Sequence, residues 1–498
     1  MVPRGRNFDV KTMITVGILR WLIDYQREEI QTIIEAGGSY ISTGEISYLS
    51  SQFLLYFYCV QKRHVTDLRA AIGSYVLHLD GTGEAGNEIV FMAKDGRSGV
   101  TIDARTMPSE GTDYIVPFLE GIKKEIGSPC AIVRDMSESI RMASEKVFFD
   151  VLQIICQYHF VRNLGDKVFS DYSNFRNLVL KTKTLAVISK IRPTIDDAEI
   201  KKAESAWVRI AIEHILHPRE KTSKFPFELP YVDVFGRCIE IKELAGRIAS
   251  WNLLHNVYCG QLLELNSALT TFTGNVDLCD GYRAFDKVWE WFESIRNALR
   301  VGREMNSSAS KEQPVNAELI RKNVLSTLDK ITYEGWRLGG YLKRKSQIFQ
   351  KQIDVHLDEL VTPVADVDGN IIDVVRHNGV EELGHRWSRM HIRRRTGRSQ
   401  TSSEMAMYGP LLAVVSNIEN PVYIEKVLYK IDFIREISSI TRRELEGAEK
   451  LIRPYTVNYM VRDDDKRKEL LHELVEVMEK DTLQEHLKAW VSALQIGI

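Results

Sequence analysis

Between residues 75 and 160 the apolar pattern changes period, and that change limits the fold more than any other feature of the chain. "YVLHLD" alternates, "EIVFMA" follows a glycine-rich turn, and "GVTIDAR" comes next. These runs predict three adjacent antiparallel strands joined by tight turns. "DYIVPFLEGIKKEIGS" predicts a helix ending near Gly127, "CAIVRD" a buried strand, "SESIRMASEKVFF" a helix capped at or near Ser137, and "LQIICQYHF" another short strand. The order β-β-β-α-β-α-β is that of a compact α/β core without a long gap.

The flanks read differently. Residues 10 to 36 carry helical apolar spacing and end at Gly37–Gly38. A second helix follows after Ser42 or Thr43, with Glu45 placed to assist the cap. This pair is compatible with a helix-turn-helix that reads a DNA groove through its second helix, or with a packed helical hairpin whose core includes Leu54, Leu55, Phe57 and Tyr58. Residues 165 to about 365 are dominated by long helical patterns, the best strand candidate there being "LVTPVADVDGNIID". The expected organisation is 1–70 helical and a candidate DNA-binding region; 71–165 the first part of the α/β core; 166–370 a mostly helical insertion; 371–420 the last part of the core; and 421–498 a charged helical region.

Composition narrows the function classes. The net charge of the 498-residue chain is -2, so a nucleic-acid surface would have to be local. The six cysteines include no CxxC pair, which argues against a zinc ribbon or a disulfide framework and for a reduced, cytoplasmic setting. No run of 18 apolar residues appears, and the first residues lack the apolar stretch of a signal peptide. "DGTGEAG" matches neither GxGxxG nor GxxxxGK[ST], and a strand follows it, so a nucleotide loop is disfavoured.

Strand alternation puts Val76, His78 and Asp80 on one face, and Ala131, Val133 and Asp135 on another. Both aspartates fall at the C-terminal end of an apolar strand, Asp80 as the last residue before a reversal through Gly81, Gly83 and Gly86. If the strands are neighbours, two carboxylates converge, and a hard divalent cation would relieve their repulsion. Taken singly, Asp80–Gly81 also reads as a plain turn and Asp135 as a helix cap. "RHNGVEELGHRWSRMHIRRRTGR" supplies a third carboxylate. As a helix it puts Glu381, His385, Ser388 and Arg389 on a polar side, with Leu383, Trp387 and Met390 as the apolar anchor. Arg393, Arg394, Arg395 and Arg398 then form a dense positive patch suited to a phosphate backbone.

As an ordered set, "LHLDGTG", "AIVRDMSESI" and "HNGVEELGHRWSRMHIRRRTGR" resemble the DDE transposases of bacterial and archaeal insertion sequences. Asn378–x–x–Glu381, followed by an arginine-rich helix and Thr396–Gly397, carries much of the likeness. So do Tyr158–His159 and the 246 residues between positions 135 and 381. The resemblance spans roughly 75 to 415. It implies an RNase H-like catalytic core interrupted by a large helical insertion. It also implies two Mg²⁺ (or Mn²⁺) ions held by Asp80, Asp135 and Glu381, with His159 near the site. His385, Arg386, Arg389, Arg393, Arg394, Arg395 and Arg398 would contact DNA. Glu382 is adjacent to Glu381, and one residue turns a helix by about 100°, so an inward Glu382 would take over as the third ligand. The implied reaction is hydrolytic nicking and strand transfer at element ends. The implied partners are double-stranded DNA and at least one further copy of the chain, and the implied setting is nucleoid-associated. A nuclease of the same fold, or a non-catalytic DNA-binding descendant, is the alternative.

Overall fold

The computed structural model describes residues 8–83, 88–191, 199–216, 225–302, 316–397 and 399–452, without the side chains of 199, 201 and 379–383. Gly86, Arg398 and the tail from 453 onward, all part of the expectations above, lie outside the described residues.

Residues 10 to 36 form two helices and not one. Helix α1 (Val10–Trp21) opens at Asp9, whose carboxylate accepts the Thr12 amide at 2.8 Å. The chain then breaks, with Asp24 in the left-handed region at φ 66°, before α2 (Arg27–Ala36). Helix α3 (Thr43–Arg63) is capped by Ser42, whose hydroxyl accepts the Glu45 amide at 3.1 Å. From Phe53 to Gln61 every residue of α3 is buried. Most of this helix is therefore core, as the helical-hairpin reading expects, and only its first turns present an exposed face that could meet a groove. Gly17 lets α1 approach closely, because a Cβ there would enter the Phe53 ring. Gly17→Ala is expected to cost about 1–3 kcal/mol by overpacking, despite alanine's better helix propensity. Urea unfolding of the variant measures this, and an unchanged midpoint would contradict the packing.

After α4 (Val65–Ile72) comes the sheet: β1 (Val76–Thr82), β2 (Ile89–Asp95), β3 (Thr101–Met107), β4 (Ala131–Arg134) and β5 (Leu152–Ile155). Two helices join its later strands, α5 (Thr112–Glu125) and α6 (Glu138–Val147). The spatial order is β3-β2-β1-β4-β5. The first three strands are antiparallel neighbours, as their alternation predicts, and β4 and β5 add in parallel to β1. The strand expected over "LQIICQYHF" stops at Ile155, and Tyr158 and His159 fall in the first turn of the next helix.

That helix, α7 (Gln157–Val168), begins the helical insertion. It continues through α8 (Tyr172–Lys181), α9 (Thr184–Ile188), α10 (Glu199–Leu216), α11 (Pro230–Leu254), α12 (Gly260–Thr273), α13 (Val276–Ala298), α14 (Ala317–Leu338) and α15 (Gly340–Val361). The insertion has its own apolar core, built around Phe235, Trp291, Phe292 and Phe349. Phe160, Val161 and Leu164 of α7 belong to that core, so it starts nearer residue 157 than 166. "LVTPVADVDGNIID", the strand candidate of this region, forms the short hairpin β6 (Val364–Ala365) and β7 (Ile371–Ile372).

Helices α16 (Gly379–Thr396) and α17 (Ser402–Val415) return the chain to the sheet. The described C-terminal part adds α18 (Pro421–Lys426), α19 (Phe433–Ser439) and α20 (Arg442–Ile452). One core joins α1, α3, the sheet, α5, α6, α17 and these last helices. Arg63 of α3 ties the C-terminal end to it, pairing with Glu444 at 2.7 Å and Glu436 at 3.2 Å. Among the described residues no helix is long and apolar enough to cross a membrane.

Candidate active site

The β1–β4 pairing runs Val76↔Ala131, Leu77↔Ile132 and His78↔Val133. The same offset aligns residue 80 with residue 135. Asp80, on β1, and Asp135, the first residue past the end of β4, thus fall at the same end of two neighbouring parallel strands at the middle of the sheet. They share a face with Val76, Ala131 and Val133, which pack with Ile154, Cys156 and Val364. Strand β1 does not end at Asp80: Asp80, Gly81 and Thr82 continue the ladder with Met92, Phe91 and Val90. Strand β4 does end, at Arg134, and Asp135 turns its carboxylate to accept the Ser137 amide at 2.8 Å. The N-cap of α6 is Ser137 itself, so Asp135 braces the turn before the helix and does not cap it. Asp80 faces a cleft because its parallel neighbour leaves the sheet beside it, the position where open α/β sheets place their sites.

Helix α16 is aimed at this cleft by its N-cap. Asn378, fully buried, donates its side-chain amide to the Leu79 carbonyl at 2.9 Å, one residue before Asp80. Its backbone amide donates to the Cys156 sulfur at 3.2 Å. Arg376, just before it, donates to the Thr362 carbonyl at 2.7 Å, and its own carbonyl accepts the Gln157 amide at 2.8 Å. Glu381 is the third residue of a helix that starts beside Asp80; its side chain and that of Glu382 lie outside the described residues. Further along, Nε2 of His385 is 3.6 Å from Oδ2 of Asp80, and Arg389 donates to the hydroxyl of Thr82.

The amphipathic expectation is met only in part: Trp387 packs against the core, but most of the buried stripe is polar. Gly384, His385, Ser388, His391, Ile392 and Arg395 are buried, whereas Met390, expected as an apolar anchor, is exposed. The inward stripe is polar because it meets polar partners. His391 and Arg394 pair with Asp24, and Arg395 stacks on Trp21 with its guanidinium carbon 3.6 Å from the ring centroid. Trp387, half-buried, contacts His391 and donates to Glu419 at 3.1 Å. Of the arginine run, Arg386, Arg393 and Arg394 are exposed, and Arg389 is half-buried against β1. Arg395 is not part of the surface patch.

Three residues at this site carried no sequence signal. Glu110, in the loop between β3 and α5, brings its carboxylate over Gly81, where a Cβ would collide with it. Burial, and then the charge of Asp135, raise its pKa. Lys94, buried on β2 and paired across the ladder with His78, has room beside α16 only because residue 384 is glycine. Cys156 caps α7, its thiol pushed up to about 12 by burial, with the charge of Asp80 adding to that rise. His385 is held well below its ordinary value by burial and by Lys94 and Arg389, so it is neutral near pH 7. His159 sits three residues past Cys156, half-buried, with its ring edge-on to Tyr158.

Chemically, the cleft offers hard oxygen donors on β1, just past the end of β4 and in the β3–α5 loop, flanked by Lys94 and Arg389. Among the described residues no three His, Cys, Asp or Glu side chains converge closely enough to hold a metal ion. Compared with protein-family models and with curated proteins, the chain matches none.

Proposed function

We propose that the chain is a DNA transposase of the DDE kind, with an RNase H-like catalytic core and a metal-dependent polynucleotidyl-transfer activity. The observation that carries this reading is the parallel pairing of β1 with β4 in a β3-β2-β1-β4-β5 sheet, with Asp80 on β1 and Asp135 just past the end of β4. The Asn378-anchored start of α16 beside Leu79 adds support.

The donor set fits Mg²⁺ or Mn²⁺: carboxylate oxygens, with a neighbouring glutamate, Glu110, raised first by burial and then by the charge of Asp135. Asp80, Asp135 and Glu381 would hold the ions. Two such ions, when bound, would activate the attacking water or DNA 3′-hydroxyl and offset charge on the leaving oxygen. The chain's own groups do the rest. Arg389 and the neutral His385, both beside β1, orient the scissile phosphate. Exposed Arg386, Arg393 and Arg394 hold the backbone without reading sequence. Lys94 adds fixed positive charge behind the cleft. His159 at the start of α7 supports the phosphate from the other side. Joining element ends to a target calls for two copies of the chain.

The test is a strand-transfer assay with duplexes carrying the DNA that flanks the gene. Mg²⁺-dependent ends with 3′-hydroxyls, followed by joined products, are expected. Cleavage without joining would mark a nuclease of the same architecture, and no metal-dependent cleavage would overturn the reading. Gly81→Ala probes the same site more finely. Its methyl would displace the Glu110 carboxylate, a flexible group, so the melting temperature should move by no more than roughly 2–4 °C. Cleavage should fall roughly 10–100-fold as the carboxylates lose their arrangement. Unchanged cleavage in this variant would remove Glu110 from the site.

A further inference from the structure

A cavity of about 510 Å³ opens where α1, α2, α3, α16 and α17 meet, and Arg20, Arg27 and Arg395 line it. Arg20 and Arg395 are 9% and 6% exposed. Buried cations are normally paired. Here Arg20 donates to the Tyr25 carbonyl at 2.9 Å, while neither Nη1 nor Nη2 of Arg395 has a hydrogen-bond partner among the described residues. Two carboxylates, Glu28 and Glu404, also line the cavity, yet neither forms an ion pair with these arginines. Hydroxyls complete the wall: Ser47 accepts from Arg27 at 3.5 Å, and Ser51 and Tyr408 are 3.2 Å apart. Burial and the charge of Arg20 push the Arg395 guanidinium down to about 9. Burial and then Arg27 push Arg20 down to about 10. Glu28 and Glu404 offset this for Arg20, and Glu404 and Asp24 for Arg395, but only at a distance and not by direct pairing.

We propose that this cavity binds a phosphate group, supplied either by a small phosphorylated molecule such as a nucleoside monophosphate or by a DNA strand. The guanidinium fork of Arg395, with free donors and hydroxyls beside it, matches phosphate oxygens. The volume is that of a small-ligand site and exceeds the needs of a bare anion. Trp21 gives no stacking platform, since Arg395 covers it at 3.6 Å and Tyr408 packs at 5.1 Å. Recognition therefore runs through the phosphate. His385 lies ten residues earlier on α16, about 15 Å along the axis, so this is not the carboxylate cleft. The inference does not depend on the proposed activity.

Calorimetric titration of the full chain with inorganic phosphate and with adenosine monophosphate, against chloride at equal ionic strength, tests it. Saturable binding is expected, weakened at least about tenfold by Arg395→Gln. Because Arg395 is packed on Trp21, Arg27→Gln is the second variant; it is exposed at the start of α2 and should weaken binding without altering the melting temperature. Displacement of the monophosphate by a duplex oligonucleotide assigns the site to DNA, and failure of displacement assigns it to a small phosphorylated ligand. Absence of saturable binding to the wild-type chain, or unchanged affinity in both variants, overturns the proposal.

Discussion

Asp80→Asn and Asp135→Asn should each lower Mg²⁺-dependent cleavage of element-end DNA by roughly 10²–10³-fold or more, while end binding changes little. The substitution removes one negative charge and keeps the shape. Near Asp80 the loss is tolerable to the fold, because its close neighbour His385 is neutral and no ion pair is broken between them. Near Asp135 the choice of asparagine matters. That carboxylate also accepts the Ser137 amide in the turn before α6, which asparagine preserves and alanine would lose at about 1 kcal/mol. Cleavage, gel-shift binding and thermal melting of the same preparations separate the roles. Cleavage that survives in either variant would sink the metal-ligand assignment. Cleavage and binding that fall together in a folded variant would recast the residue as a DNA contact.

The sheet was legible because its signals are local. Alternation marked β1 to β3, short apolar runs marked β4 and the start of β5, and the distance between Asp80 and Asp135 closed only when β4 paired with β1 in parallel. Helix α16 was legible as a helix, and its orientation only in part. Amphipathic reasoning assumes that the polar side faces water, but His391 and Arg395 turn inward onto Asp24 and Trp21, residues more than 360 positions earlier. The break between α1 and α2 belongs to the same arrangement, since Asp24 reaches His391 and Arg394 from within it. Glu110 was invisible for a related reason. In "MPSEGTDY" it looks like a loop carboxylate, and only the return of that loop over Gly81 makes it part of the cleft.

Lys62→Met should destabilise the chain by about 3–5 kcal/mol, and the effect should be larger near neutral pH than in acid. Asp103 on β3 has a side chain 3% exposed, and its partners are Lys62 at 3.1 Å, the Tyr58 hydroxyl at 3.0 Å and Arg105 at 3.7 Å. Lys62 also reaches Glu125 of α5 at 2.7 Å. This network fastens α3 to the sheet edge and to α5, so the N-terminal helices are braced against the core and are not a detachable module. Burial alone would raise the Asp103 carboxyl, but Lys62 and Arg105 outweigh it and hold the group below its ordinary 3.8. The folded wild type therefore binds fewer protons than the unfolded chain, and this contribution is present above that value and lost as acid protonates the group. Lys62 is raised above its ordinary 10.5 despite burial, so its share is lost only as alkali removes its proton. Without Lys62 the balance at Asp103 reverses: burial prevails, the carboxyl titrates upward, and lowering the pH should now recover stability relative to wild type. Urea unfolding of Lys62→Met across the acid range, beside Lys62→Met/Asp103→Asn, reads both effects. The double variant should regain a large part of the loss, since it removes the stranded charge. A single variant within about 1 kcal/mol of wild type at neutral pH would mean that α3 is held by its apolar face alone.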